Sequence, residues 1–293
     1  QKGFAYPEPS DSYSSFVASF AFEETPDQLK TMDDVLLDMQ SEKPMDRLVC
    51  GDVGFGKTEI AMRAAFVAVE AGKQVVMLVP TTLLASQHYQ TFVDRFAKYP
   101  VLIKSISRFQ SIKEQKQIKD ALQAGKIDIV IGTHKLIQGS IKYKKLGLII
   151  IDEEHRFGVK QKETLKQLRG QSDILTMTAT PIPRTLALAS YGDMDESRLT
   201  EKPLGRKTIK TTSLTLNKVN KLIERIKINI ANSNSKFYWV CPLIEESEEL
   251  DLKAATLRYQ HLDKLFKNKT EGATPNEIAS ARESNISPNS LSA

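Results

Sequence analysis

Five short apolar runs, at residues 47–50, 74–79, 127–131, 146–151 and 174–177, are rich in β-branched residues, and stretches with helical spacing such as 59–70 and 111–124 separate most of them. Strands that alternate with helices in this way predict a doubly wound parallel sheet of the α/β class. In such a sheet ligands bind at the carboxyl ends of the strands. The residues that follow each apolar run are therefore the ones that bear on function.

After the first run comes Gly51-Asp52-Val53-Gly54-Phe55-Gly56-Lys57-Thr58, which fits the phosphate-binding pattern GxxxxGK[ST] and stands between a strand and a helix, where that pattern acts. Its glycines let backbone N–H groups close around phosphates, and the helix that follows adds a favourable dipole. Lys57 reaches the β- and γ-phosphates and Thr58 offers a hydroxyl to Mg²⁺. A glycine-rich turn of no function is the bland alternative, and the strand–loop–helix setting argues against it.

The most hydrophobic run ends in Asp152-Glu153-Glu154-His155. Carboxylates after a strand are usually a solvated turn. Paired with the upstream P-loop, they suit the second half of a nucleotide site, with Asp152 in the Mg²⁺ shell and Glu153 polarising the attacking water.

The composition is permissive. The chain has 293 residues, of which 41% are hydrophobic, enough for a sizeable core. Its apolar runs fall short of the ~20 residues a membrane helix needs, and its start lacks a signal-peptide pattern, so a cytoplasmic location without membrane contact is expected. Cys50 and Cys241 stand apart, with no CxxC pair, so both are expected to be core thiols rather than parts of a disulfide or zinc site. A net charge of +5 permits a polyanionic partner without requiring one.

Residues 1–24, with Pro7, Pro9 and a Ser/Tyr/Phe-rich stretch, read as a lead-in segment. A large domain is expected over 25–203. From 204 to 266 a basic linker with Gly205, Arg206, Lys207 and Lys210 leads to a helical stretch at 218–230 and a strand-like run at 237–240. Residues 267–293 are Asn/Ser-rich, lack aromatics and are expected to be disordered.

Several motifs together resemble superfamily 2 helicases. Asp152 to His155 resembles their DExH box, Thr178-Ala179-Thr180 their motif III, Thr25-Pro26-Asp27-Gln28 their Q motif, residues 80–88 their motif Ia, Ser107-Arg108-Phe109 a DNA-contacting segment, and Gly132-Thr133-His134 their motif Ic. Residues of about 20–188 resemble the motor of transcription-repair coupling factors, including Thr178-Ala179-Thr180-Pro181-Ile182-Pro183-Arg184-Thr185. From about 180 to 266, through Tyr191-Gly192-Asp193 and Tyr238-Trp239-Val240-Cys241-Pro242, the resemblance is to RecG-type helicases.

The resemblance implies a RecA-like first lobe, the start of a second RecA-like lobe that stops short, and a DEAD/DEAH-box-type ATP hydrolase acting on DNA in repair or recombination. It assigns ATP to Gly51 through Thr58, with Phe22 and Gln28 at the adenine, and Mg²⁺ to Thr58 and Asp152. Catalysis falls to Lys57, Asp152, Glu153 and His155. Nucleic-acid contacts fall to Thr81, Thr82, Arg108, Thr133 and His134, and coupling to Thr178 and Thr180. The implied partner is double-stranded or branched DNA bound without regard to sequence, with RNA polymerase as a partner of the full-length relative.

The second lobe of these helicases carries a QxxGRxGR arginine-finger pattern, which is absent from these 293 residues. The alternative expectation is therefore a nucleotide- and DNA-binding piece without motor activity. An unrelated P-loop ATPase is a third reading, disfavoured by the Thr178-Ala179-Thr180 block. His88 is balanced between a coupling and a structural role, Trp239 is expected in a core, and Lys113, Lys116 and Lys119 are expected on a solvated helix face.

Overall fold

The computed structural model describes residues 3–107, 110–137, 141–153, 172–179, 194–204, 209–233, 235–241 and 255–266. The chain divides into two units, Gln1–Lys207 and Thr208–Ala293. In the first, the strands are β1 (Asp46–Gly51), β2 (Gln74–Leu78), β3 (Ile103–Ile106), β4 (Ile129–Gly132), β5 (Leu146–Asp152), β6 (Asp173–Thr178) and β7 (Asp195–Leu199). They form one seven-stranded sheet in the order β3-β4-β2-β5-β6-β1-β7. Every pairing is parallel.

Five of these strands are the apolar runs of the sequence. The other two, β3 and β7, are the sheet edges, and their Lys104, Asp195, Glu196 and Arg198 hide them from a search for apolar runs while discouraging edge-to-edge pairing. Along the central strands the side chains alternate between two cores. Val75, Met77, Ile129, Ile131, Leu148 and Ile150 face one, and Val76, Leu78, Val130, Ile149 and Ile151 face the other.

The first core is covered by α1 (Asp11–Ala18), α2 (Pro26–Gln40), α3 (Lys57–Glu70) and α4 (Thr82–Arg95), and the second by α5 (Ile112–Ala124) and a short 3₁₀ turn (His134–Ile137). Helix α3 is buried on nearly all sides, with Ala61, Ala64, Ala65 and Ala68 fully enclosed, so small residues let it lie close to its neighbours. Lys113 and Lys116 of α5 are exposed, as a solvated face requires.

Residues 1–24 carry more structure than a lead-in. Tyr6, Tyr13 and Phe16 are buried, and the Phe16 ring stacks on Phe66 at 4.5 Å with the Arg95 guanidinium 3.9 Å from its centroid. Ser10 caps α1 by accepting from the Tyr13 N–H, and its own hydroxyl donates to Glu70 at 2.6 Å. The sequence concealed this helix because it is only eight residues long and rich in serine.

A buried ion network fixes the same corner. Glu59 accepts from Arg63 Nε at 2.9 Å and from Arg95 at 2.8 and 3.1 Å, while Arg63 also reaches Glu24 at 2.6 Å. Nearer the β7 edge, Arg47 binds Asp38 at 2.6 Å and Ser197 at 2.8 Å, tying α2, β1 and β7 together.

In the second unit the predicted helix is present at Val219–Asn232, and a further helix spans Ala255–Phe266. Residues 237–240 form no strand among the described residues. Trp239 is half-buried, with the Arg258 guanidinium 5.2 Å from its ring, so it is not a core residue. Cys50 is a core thiol; Cys241 is only half-buried. The 267–293 stretch lies outside the described residues.

Asp173, the first residue of β6, is 4% exposed and accepts the Met45 N–H at 2.7 Å. Burial raises its carboxyl from 3.8 to about 7, against the Met45 hydrogen bond and with help from the Asp38 charge. The unfolded chain releases this proton near pH 4 (~3.9) while the folded chain keeps it until about pH 7, so stability falls as pH rises through that window, by up to about 1.4 kcal/mol per unit. Asp173→Asn keeps the acceptor and removes the titration. Urea denaturation at pH 5 and pH 8 is expected to show a smaller loss of stability for the variant than for the unaltered chain, and parallel losses would place the titration elsewhere.

Candidate nucleotide site

The P-loop leaves the sheet at the end of β1 and enters α3 at Lys57. Gly54 and Gly56 have φ of 78° and 89°, a region costly for residues with a Cβ. Space forbids a side chain at Gly56 as well, because a Cβ there would stand 2.2 Å from Gln28 Nε2. The first turn of α3 leaves N–H groups without intrahelical acceptors, a ready anion site.

Gln28 sits in the wall of this loop. Its Oε1 accepts the Thr25 N–H at 3.0 Å, completing a capping box at the start of α2, and its Nε2 donates to Phe55 O at 2.8 Å. Asp27 beside it accepts from Thr200 and Glu201 N–H groups at 2.7 and 3.2 Å, fastening the chain that leaves β7. The quartet Thr25-Pro26-Asp27-Gln28 is thus a structural junction, and the Gln28 amide already serves the loop. Phe22 is 70% exposed and meets Phe20 edge-on at 5.5 Å.

Lys57 Nζ donates to Gly51 O and, at 3.1 Å, to Asp52 O. Burial lowers its pKa, and the charges of Glu153, Asp152 and Asp52 oppose that shift. The ammonium therefore lies within electrostatic reach of the acidic pair. Asp152 closes β5, and the strand order puts β5 beside β6, next to β1.

Glu153 is the one non-glycine residue with positive φ among the described residues, at 56°. Such backbone costs roughly 1–2 kcal/mol. Two bonds to the end of β6 hold it there: its N–H donates to Met177 O at 2.9 Å and its Oε1 accepts the Ala179 N–H at 3.0 Å. The DExH carboxylate and the Thr178-Ala179 segment are thereby in direct contact.

Of the expected nucleic-acid residues, Thr81 is exposed and caps α4 through the Leu84 N–H at 3.2 Å, and Thr82 begins that helix. Thr133 is buried and His134 half-buried at the exit of β4. Thr178 is buried in β6. Arg108, His155 and Thr180 lie outside the described residues.

The sequence pattern did not assign the group Glu24, Glu59, Arg63 and Arg95. Its legible trace was Glu59 four residues before Arg63 on a helix, directly after Thr58. The partner of His88 is not visible in the sequence: its Nε2 lies 3.0 Å from Asp152 Oδ2.

A parallel sheet with a P-loop sequence at one strand exit and an acidic pair two strands away defines a RecA-like fold of the P-loop class. The chain belongs to the DEAD/DEAH box helicase family, whose pattern matches residues 25–189. It is 60% identical over 211 residues to the transcription-repair-coupling factor of Haemophilus influenzae and 58% identical over 211 residues to that of Escherichia coli, in each case 72% of this chain and 18% of the relative. The chain thus spans about a fifth of the length of these relatives. Among solved structures, RecG bound to a three-way DNA junction superposes with a TM-score of 0.74 at 34% identity, covering 96% of this chain and 38% of RecG. The DNA-bound helicase MrfA shares the fold, with a TM-score of 0.60 at 14% identity.

Gln28→Ala removes the donor on Phe55 O. A buried hydrogen bond contributes about 0.5–1.5 kcal/mol net, so affinity for ADP is expected to fall by up to about tenfold. Inorganic tripolyphosphate should lose affinity by the same factor, since the bond supports the loop rather than the base. Tripolyphosphate binding that is unchanged by the substitution, measured by calorimetry, would return Gln28 to the adenine alone.

Proposed function

We propose that this chain carries the ATP-binding and ATP-hydrolysing lobe of a DNA translocase or helicase motor that acts in repair or recombination. The observation that carries the reading is the placement of Lys57 after β1 and of Asp152 and Glu153 at the end of β5, with Glu153 bonded to Ala179 at the exit of β6 between them. In this reading residues 25–203 form the first lobe, braced by the N-terminal helix, and 204–266 form the linker and start of a second lobe.

The residues present fit Mg-ATP. Thr58 and Asp152 offer hard oxygen donors, and no group of three or more His, Cys, Asp or Glu that could hold a metal by itself occurs among the described residues. A cation carried in on phosphates needs only such a partial shell. When bound, Mg²⁺ would neutralise charge on the β- and γ-phosphates. The loop N–H groups and Lys57 would cradle those phosphates, and the exposed Phe22 ring offers a face to the base.

Glu153 would orient the attacking water. Its bond to Ala179 gives the Thr178-Ala179 segment a hold on that carboxylate, so that movement of one is felt by the other. The exposed Thr81 at the head of α4 would take backbone phosphates without reading bases. Duplex or branched DNA is the proposed track, as the RecG complex with a junction suggests, and RNA polymerase is the proposed partner of a full-length protein, in keeping with the name of the coupling factors.

Glu153→Gln is expected to retain Mg-ATP binding while turnover falls roughly 10²-fold or more, whereas Asp152→Asn should lose the Mg²⁺-dependent part of binding. Calorimetry with and without Mg²⁺, beside a phosphate-release assay, separates the two. Identical losses of binding in both variants would refute the division of roles.

Fluorescence anisotropy with two duplexes of unrelated sequence tests the DNA reading. Affinities should agree between the duplexes and fall steeply between low and moderate salt, because phosphate contacts release counterions. A strong preference for one sequence would count against a motor.

A further inference from the structure

We propose that His88 is a positioning residue for the Asp152 carboxylate and joins the metal side of the nucleotide site to the helix that bears the candidate DNA contacts. The inference rests on the nucleotide reading above. It begins with topology. Strand β2 is the hydrogen-bonded neighbour of β5, Leu78 pairing with Ile151. Helix α4 starts just after β2, at its Thr81 cap, and packs over β3 and β4, so its early turns rise from the strand that borders β5.

His88 lies two helical turns into α4, in step with Thr81 and Leu84. Its Nε2 is 3.0 Å from Asp152 Oδ2, and the two side chains are only 12% and 13% exposed. A carboxylate oxygen only accepts, so Nε2 carries the proton and donates it. The bond occupies Oδ2, fixes the rotation of the carboxylate and leaves Oδ1 for other partners. Among the described residues this is the side-chain hydrogen bond that sets that rotation. Partners of this kind orient metal-binding carboxylates, and their loss typically weakens metal binding about 10- to 100-fold.

Its place on α4 gives His88 a second consequence. Thr81 and Thr82 stand at the head of the same helix, so a displacement of α4 by a bound phosphate changes the distance from Nε2 to Oδ2. The imidazole makes the track side and the metal side share one rigid element.

The test uses the 293-residue chain with ADP and Mn²⁺. Mn²⁺ affinity of the ADP-saturated chain is read by electron paramagnetic resonance, and ADP affinity in EDTA by calorimetry. His88→Phe fills the space without a donor and is expected to weaken Mn²⁺ binding roughly tenfold or more while leaving ADP affinity in EDTA unchanged. His88→Gln, whose amide extends as far as Nε2, should restore most of the affinity. Where His88→Phe does not fold, His88→Asn, too short to reach Oδ2, supplies the loss variant.

In an Asp152→Asn background the His88→Phe change should have no further effect on Mn²⁺. Unchanged Mn²⁺ affinity in a folded His88→Phe chain overturns the proposal. An equal loss of ADP affinity in EDTA also overturns it, because that marks a packing role, as does a full effect that persists beside Asp152→Asn. Absence of ADP binding by the unaltered chain in EDTA would instead defeat the nucleotide reading itself, before any variant is made.

Discussion

Parallel strands cannot be joined by tight turns, so each connection crosses back over the sheet and every strand ends on the same edge. That constraint organises this molecule. The P-loop follows β1, Thr81 follows β2, Thr133 follows β4, Asp152 and Glu153 close β5, and Ala179 follows β6. Residues separated by more than a hundred positions become neighbours because the order of strands in the sheet differs from their order in the chain. The sequence needs only one functional group per exit, and the sheet assembles them.

Holding those exits in register requires rigid backing. Glu59 directly follows Thr58, and it is clamped by Arg63 and Arg95, with Glu24 completing the network. Removal of one partner from such a buried set typically costs about 3–5 kcal/mol, because a charge is left without compensation. The network joins the P-loop helix to α4 and to the N-terminal segment, whose Phe16 and Phe20 lie beneath the same two guanidinium groups. The N-terminal segment therefore braces the helix that follows the P-loop.

What was legible in the sequence follows from which signals are local. The P-loop, the DExH box and five apolar strands could be read because each is a contiguous pattern with a mechanism. The edge strands β3 and β7 could not, since their charged residues answer to solvent on an open edge rather than to a core. Helix α1 was hidden by its serines, and its burial depends on Phe66, Phe96 and Tyr99, which lie far along the chain. Gln28 could be placed in its motif but not given its hydrogen bond to Phe55, because that bond requires the left-handed Gly56 to bring the loop over the amide.

Side-chain hydrogen bonds from Gln28 to Phe55, from Ala179 to Glu153 and from His88 to Asp152 join separate elements of the candidate site. A typical hydrogen bond contributes only about 0.5–1.5 kcal/mol net, somewhat more where a charge takes part. The scaffold behind them is far stiffer, being a sheet whose central strands are buried on both faces and backed by buried ion pairs. Contacts of that size could be exchanged for ligand contacts without loss of the fold. The left-handed Glu153 fits the same scale, for its backbone strain of roughly 1–2 kcal/mol is of the same order as the bonds that sustain it. Loss of the Ala179 bond would leave a strained residue with less to hold it. The acidic end of β5 is thus balanced between its neighbours, and small changes at either neighbour suffice to move it.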